Sequence, residues 1–138
     1  MYKQDNITIH NADCMDIMKQ YEDNYFDLAV VDPPYGIGFD GETTVKGKGG
    51  KAKTFSDKQH HKKKNWDSST PNKEYFLELK RVSKKQVIWG GNYFTDFLEP
   101  VKSWVFWYKK ITNPNNKNFS DGELAWVSDN SITRLCGS

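Results

Sequence analysis

Short apolar runs separated by polar stretches predict that strands and helices alternate along this chain. The clearest run is Leu28–Val31, four consecutive apolar residues followed by Asp32 and by the pair Pro33-Pro34. A short apolar run between turn residues is typical of a strand that is buried on both faces, as in a parallel sheet. The prolines end this strand because they cannot donate a backbone hydrogen bond, and each holds the preceding residue extended. Asp32 is therefore expected at a rigid carboxyl end, where open α/β sheets bind their ligands.

The residues before this strand predict another strand and a short helix. Segment 6–10 alternates between polar and apolar residues, in the manner of a half-buried strand. Apolar positions from Cys14 to Tyr21 then recur at helical spacing. Either Asn11 or Asp13 can cap that helix.

Downstream, the pattern predicts a longer helix and three more strands. The helix is expected over residues 72–85, with Thr70 as its cap and Pro71 in its first turn. Its apolar stripe consists of Tyr75, Leu79 and Val82, backed by Phe76. The strands are expected at Gln86–Trp89, Ser103–Tyr108 and Glu123–Val127. Turn residues at 113–116 are typical of a hairpin connection between the last two, and Leu135–Ser138 carry no helical or strand pattern.

Composition restricts the class of protein without identifying it. The chain has 138 residues, a net charge of +2 and a mean hydropathy of −0.83, which fits one globular domain. No apolar run approaches the ~20 residues that span a bilayer, and no apolar signal region is present at the N-terminus. Two cysteines are too few for a disulfide framework, and no Cys/His spacing indicates zinc. We therefore expect a cytoplasmic protein without a membrane or a metal partner.

The residues that end the first apolar strand suggest a specific chemistry. Asp32 and the Pro33 carbonyl can each accept one N–H of an amino group on a flat base, while Tyr35 stacks on the ring. With both hydrogens held, the nitrogen lone pair can be turned toward an electrophile. Asp32-Pro33-Pro34-Tyr35 resembles the catalytic motif of the DNA methyltransferases that modify adenine N6 or cytosine N4. Residues 81–94 are also similar to phage and bacterial members of that family.

This resemblance implies a fold, a reaction and partners. The implied fold is α/β, with a partial class-I methyltransferase (Rossmann-like) sheet that is mainly parallel with an antiparallel edge. The implied cofactor is S-adenosylmethionine and the implied substrate is double-stranded DNA, in a bacterial or phage-infected cell, as in restriction–modification. Asp32, Pro33, Pro34 and Tyr35 would be catalytic, acting on a flipped base by direct methyl transfer. Asp rather than Ser at the first motif position favours adenine over cytosine.

Asp13 and Asn92 each have two interpretations. Asp13 is the cap of the first helix or, as the resemblance implies, an acid that accepts a hydrogen bond from the adenine of the cofactor, and the two roles are compatible. Asp32 would contact the methyl end of the same cofactor. Asn92 follows Gly90-Gly91, a pair that permits a sharp turn or a close approach of the backbone to a ligand. Asn92 is therefore either a turn former or a contact to the target base.

Residues 41–65 lack hydrophobic periodicity and carry eight lysines against two acidic residues. A structureless stretch of this length in a compact domain is usually a functional lid or a disordered segment. One interpretation is a solvated loop. The other is a mobile basic flap beside the active site, whose Lys62, Lys63 and Lys64 contact DNA phosphates.

The resemblance extends over nearly all of this chain but over only about the first half of a family member. The target-recognition region and the glycine-rich loop that holds the cofactor are absent from the sequence. In the family's sheet, two strands of the absent half lie between the 6–10 strand and the Leu28–Val31 strand. A gap with unpaired strand edges is therefore expected. The rival hypothesis is a truncated or non-catalytic fragment, or a subunit whose cofactor site is completed by a second chain.

Overall fold

The computed structural model of this protein describes residues 2–38, 67–109, 121–129 and 134–136. The chain divides into two compact units. We call Met1–Pro33 together with Pro71–Ser138 the sheet unit, and Pro34–Thr70 the loop unit. Each unit is described by itself.

The sheet unit contains the helices and strands, in the alternation that the hydrophobic pattern predicts. In chain order they are β1 (Tyr2–Gln4), β2 (Ile7–Ile9), α1 (Cys14–Met18), β3 (Ala29–Val31), α2 (Lys73–Val82), β4 (Gln86–Trp89), β5 (Trp104–Tyr108), β6 (Gly122–Val127) and β7 (Arg134–Cys136). A 3-10 turn at Gly91–Tyr93 follows β4. The pattern did not predict β1, and the expectation that the chain ends without a strand is wrong, because β7 pairs with β5. Neither described α-helix is long and apolar enough to cross a membrane.

The main sheet is mixed and has the strand order β3-β4-β6-β5-β7. β3 is parallel to β4, and β5 is parallel to β7, whereas β6 is antiparallel to both of its neighbours. Four of the five described strands in this sheet therefore run in one direction. β5 and β6 pair as the hairpin prediction requires, although its turn at 113–116 lies outside the described residues. The expectation of an antiparallel edge is wrong, because β6 also pairs with β4, which satisfies the backbone groups that an edge would expose.

β3 lies at one end of this sheet and is less buried than the sequence predicts. Val30 is 59 % exposed and Leu28, just before the strand, is 53 % exposed. The prediction of burial on both faces is wrong, because Val30 is exposed between the half-buried Ala29 and Val31, which leaves one face of β3 open. β2 pairs with β1 in a separate two-stranded sheet, and its Ile7 and Ile9 are exposed rather than half-buried. Thus β2 and β3 are not neighbours in one sheet, which is compatible with the expected gap.

α2 supplies the helical side of the core, as its apolar stripe predicts. Phe76, Leu79 and Val82 are each at most 4 % exposed. The ring of Phe76 lies against that of Phe94, with centroids 5.2 Å apart. Burying such side chains stabilises the fold by about 1.5–3 kcal/mol each.

α2 begins at Lys73, one residue later than the sequence suggests, and its cap lies two residues later. Asn72 is the N-cap, and its side chain accepts a hydrogen bond from the backbone N–H of Tyr75 at 3.1 Å. The prediction of Thr70 as the cap is wrong. Asn72 has the extended backbone that an N-cap needs, and its amide oxygen reaches the third residue of the helix.

Arg81, near the end of α2, holds the segment that leads into β3. Its guanidinium donates to the carbonyls of Met18 and Tyr21 and to the carboxylates of Asp23 and Glu78. The hydrogen bond from Arg81 holds the pKa of the Glu78 carboxyl below its ordinary value. The chain on the way to Asp32 is therefore anchored to the core helix.

Candidate active site

The strand that carries Asp32 ends next to a parallel strand. Val31 of β3 pairs with Ile88 of β4. The next residue along the chain is Asp32 after β3 and Trp89 in β4. Asp32 is exposed, whereas Pro33 is buried. The carboxyl ends of adjacent parallel strands are where α/β sheets bind ligands. The predicted position of Asp32, directly after a sheet strand, is thus confirmed.

The chain that leaves β4 turns sharply at the same edge of the sheet. Gly90 has a φ of 67°, in the left-handed region that favours glycine. Gly91 lies so close to Trp126 that an added Cβ would collide with the Trp126 Cβ. Asn92 is exposed within the 3-10 turn that follows. The turn interpretation of Asn92 is therefore borne out, and its contact with a base stays a proposal.

Asp13 caps α1, which is one of its two interpretations. Its carboxylate accepts a hydrogen bond from the backbone N–H of Met15 at 2.8 Å. The residue itself is exposed. The cap uses one carboxylate oxygen, so the proposed contact with a cofactor amine is compatible with it.

A groove of about 680 Å³ lies in the sheet unit and has β3 as one of its walls. Ala12 and Val31 both line it, and each stands one residue before an acid that the sequence singled out, Asp13 and Asp32. Its walls are mainly apolar and include Ile17, Met18, Leu28, Val30 and Leu79. The residues that precede the two acids thus line one groove, whereas the acids themselves are exposed.

Polar side chains also line this groove, among them Asn6, Thr8, His10 and Tyr75. The enclosed Nε2 of His10 has no hydrogen-bond partner within the part of the chain that the structure describes. Burial raises the pKa of Tyr75 to about 12, so this phenol remains a neutral hydrogen-bond donor. Among the described residues, no group of three or more His, Cys, Asp or Glu side chains is placed to hold a metal ion.

The loop unit carries the second half of the motif, because the boundary between the two units falls between Pro33 and Pro34. Pro34 and Tyr35 are half-buried. The next residue, Gly36, donates its N–H to the carboxylate of Asp67 at 2.8 Å. Asp67 is 3 % exposed, and sequence reasoning did not single it out as a site residue. No local pattern could have identified it, because its partner is 31 positions away in the chain.

The predicted basic segment 41–65, which includes Lys62, Lys63 and Lys64, lies outside the described residues. The structure therefore brings Asp32 and Pro33 to the same sheet edge as the turn of Asn92. It gives no geometry for the three lysines.

Comparison with known proteins does not identify this chain. No protein-family model matches it. No curated protein matches it at a significant level either. The functional argument therefore rests on the motif and on the geometry of the described residues.

Proposed function

We propose that this chain is the catalytic region of an S-adenosylmethionine-dependent DNA methyltransferase that acts on an exocyclic base amine, with adenine N6 as the favoured target. One observation supports the proposal most. Asp32 of the Asp-Pro-Pro-Tyr motif directly follows β3, at the carboxyl end of two parallel strands. Asp32 thus stands where α/β sheets bind their ligands.

The proposed roles follow from hydrogen-bonding capacity. Asp32 and the Pro33 carbonyl each accept one N–H of the target amine, and Tyr35 stacks on the base. Proline suits this role, because Pro33 offers a carbonyl but no competing N–H. Extruding the base from the duplex costs a few kcal/mol, which stacking and hydrogen bonds to the base edge help to offset. Asp32 is also placed to take up the proton that the amine loses on methylation.

The cofactor supplies an electrophilic methyl group on a sulfonium, which is why no covalent intermediate on the protein is required. The residues around the groove fit part of this cofactor. Asp13 and Asp32 each follow a residue that lines the groove, and they are proposed to offer carboxylates to an adenine amine and to the cationic methyl end. Most of the lining residues themselves are apolar.

The open groove favours a second candidate, a catalytic subunit whose cofactor site is completed by further polypeptide. β3 pairs on one side only among the described strands, and its Val30 is largely exposed. Unpaired strand edges usually receive another strand or a covering element. The two candidates share the roles of Asp32, Pro33 and Tyr35 and differ in what binds the cofactor.

We also propose that Lys62, Lys63 and Lys64 bind DNA. They lie in the basic segment 41–65, which follows the motif. Lysines that contact phosphates make the affinity depend on salt, because binding releases counterions. Replacing all three with Ala should weaken DNA binding and flatten the slope of log affinity against log salt. An unchanged slope would assign them to a solvated loop.

The proposed function is tested by replacing Asp32 with Ala in the complete enzyme that contains this chain. We expect methyl transfer to unmethylated DNA to fall by about 100-fold or more, because the amine is no longer positioned. Calorimetric titration with S-adenosylmethionine should show that cofactor binding is largely retained. Asp96→Ala, at an exposed acid elsewhere in the sheet unit, is the matched control. Turnover of Asp32→Ala within tenfold of the unaltered enzyme would overturn the assignment.

A companion titration of these 138 residues alone separates the two candidates. A few polar contacts seldom exceed the cost of ordering a flexible ligand. We therefore expect weak or undetectable cofactor binding and no methyl transfer by the chain alone. Micromolar binding by a monomer would exclude the candidate in which further polypeptide completes the site.

A further inference from the structure

A single buried acid fastens the residues that follow the motif. The carboxylate of Asp67 accepts the N–H of Gly36 at 2.8 Å, and the backbone carbonyl of Asp67 accepts the N–H of Gly38 at 2.9 Å. Both glycines have left-handed backbones, with φ values of 71° and 69°. One residue thus holds two left-handed positions, on either side of Ile37, and the first of them lies 31 residues before it in the chain. We call this pair of hydrogen bonds the Asp67 clip.

The hydrogen bond from Gly36 is the stronger half of the clip, because its acceptor is a buried carboxylate. A buried carboxylate must find donors, because its desolvation is unfavourable. A hydrogen bond to an ionised acceptor is roughly twice as strong as one between neutral groups. A Cβ on Gly36 would lie 3.1 Å from the backbone nitrogen of Thr70 and 3.2 Å from its Cγ2. The positive φ and this close neighbour both disfavour a side chain at position 36.

The Asp67 clip also restricts the backbone of Tyr35, because Tyr35 and Gly36 share one peptide group. The N–H of Gly36 and the carbonyl of Tyr35 belong to the same planar group, so holding that N–H fixes the rotation about the bond between the Cα and the carbonyl carbon of Tyr35. The ring of Pro34 fixes its own φ, so the chain that enters Tyr35 also has fewer conformations available. Tyr35 is half-buried, so its ring is partly accessible.

We propose that Asp67 is a positioning residue, which sets the Tyr35 ring for stacking on the flipped target base. This inference rests on the proposed function, because it assumes that Tyr35 stacks on a base. Asp67 would not touch the base. It would act through the backbone of Gly36 alone.

The test uses the full chain and a single-stranded oligonucleotide with 2-aminopurine in place of one adenine. Stacking on an aromatic side chain quenches the fluorescence of this base, and base–aromatic stacking contributes about 1–3 kcal/mol. We expect quenching by the unaltered chain and its loss in Tyr35→Ala. Asp67→Ala should lose most of the quenching. Asp67→Asn should restore it, because the amide oxygen can accept the same N–H from Gly36.

Amide hydrogen exchange supplies a readout of the clip itself. In Asp67→Ala the Gly36 amide should exchange faster, whereas the Gly38 amide should be less affected, because its acceptor is a backbone carbonyl. Gly36→Ala is a second variant that displaces the same peptide and leaves Asp67 in place, and it should also lose quenching. Asp96→Ala is the control and should behave as the unaltered chain. Near-ultraviolet circular dichroism identifies any variant that fails to fold.

The outcomes separate the inference from the proposed function. Loss of quenching in Tyr35→Ala with full quenching in a folded Asp67→Ala whose Gly36 amide exchanges faster would overturn the positioning role alone. Full quenching in Tyr35→Ala would overturn the stacking role of Tyr35 and the inference with it. Absence of quenching by the unaltered chain contradicts both. Should Asp67→Ala fail to fold, full quenching in Gly36→Ala would overturn the inference.

Discussion

Gly91 shows how a single residue is constrained at the edge that carries the motif. The sequence offers two explanations for the Gly90-Gly91 pair, a sharp turn or a close approach to a ligand. Gly90 makes the turn with its positive φ, whereas Gly91 is required because the side chain of Trp126 occupies the space of a Cβ. The close approach that the pair permits is thus to the protein's own core.

We expect Gly91→Ala to lower the free energy of unfolding by about 1–3 kcal/mol, which is the usual cost of overpacking. Trp126 is 1 % exposed and has little room to move aside. Urea denaturation followed by tryptophan fluorescence measures the effect. Asn92→Ala, at the exposed neighbour, should stay within about 0.5 kcal/mol of the unaltered chain. Equal midpoints for the two variants would show that the indole can shift.

At the scale of elements, the cap of α2 is not the residue that the local sequence suggests. Thr70-Pro71 has the composition of a cap and a first helical turn, and Asn72 one position later is also a good cap. The two candidate caps, Thr70 and Asn72, are only two positions apart, a difference that propensity does not resolve. The hydrogen bond from the Tyr75 N–H to Asn72 is the observation that decides between them.

Asn72→Ala should reduce stability by about 1 kcal/mol, because it removes the oxygen that satisfies the Tyr75 N–H at the start of α2. Thr70→Ala should change stability by less than about 0.5 kcal/mol, since Thr70 is not the cap. Thermal unfolding of both variants under one condition gives the comparison. A larger loss of stability in Thr70→Ala than in Asn72→Ala would indicate that Thr70 is the cap, as the sequence suggests.

At the scale of the whole molecule, the open side of β3 is the feature from which we expect self-association in solution. Among the described strands, only β4 pairs with β3, and Val30 and Leu28 beside the groove are more than half exposed. An exposed apolar edge strand is a site at which chains associate. The same edge borders the groove that the proposed cofactor would occupy.

We therefore expect concentration-dependent self-association of this chain, and Val30→Lys should suppress it by placing a charge on the edge strand. Sedimentation velocity over a range of concentrations measures the effect. Leu77→Lys is the matched control, because Leu77 is 58 % exposed on α2, away from the strand edges. Equal suppression by both substitutions would indicate a general effect of charge rather than pairing at β3.

The sequence by itself determined the strands and helices whose signals are local. The stripe of Tyr75, Leu79 and Val82, backed by Phe76, identified α2, and all of these except the half-buried Tyr75 are buried. An apolar run ended by two prolines identified β3 and placed Asp32 at its carboxyl end. Periodicity and proline act within a few residues, so one chain is sufficient to recognise them. The chemical interpretation of the motif also came from the sequence, through a tetrapeptide and its family resemblance.

Only the tertiary structure decided which strands are neighbours and which distant residues meet. Val30 belongs to an apolar run, yet it is exposed, because burial depends on which elements pack over each face of the strand. β6 lies inside the sheet because it pairs with β4 as well as with β5. Asp67 holds Gly36 across 31 positions. Such pairings depend on how the whole chain packs, and the free energy that selects them is not encoded in any short segment.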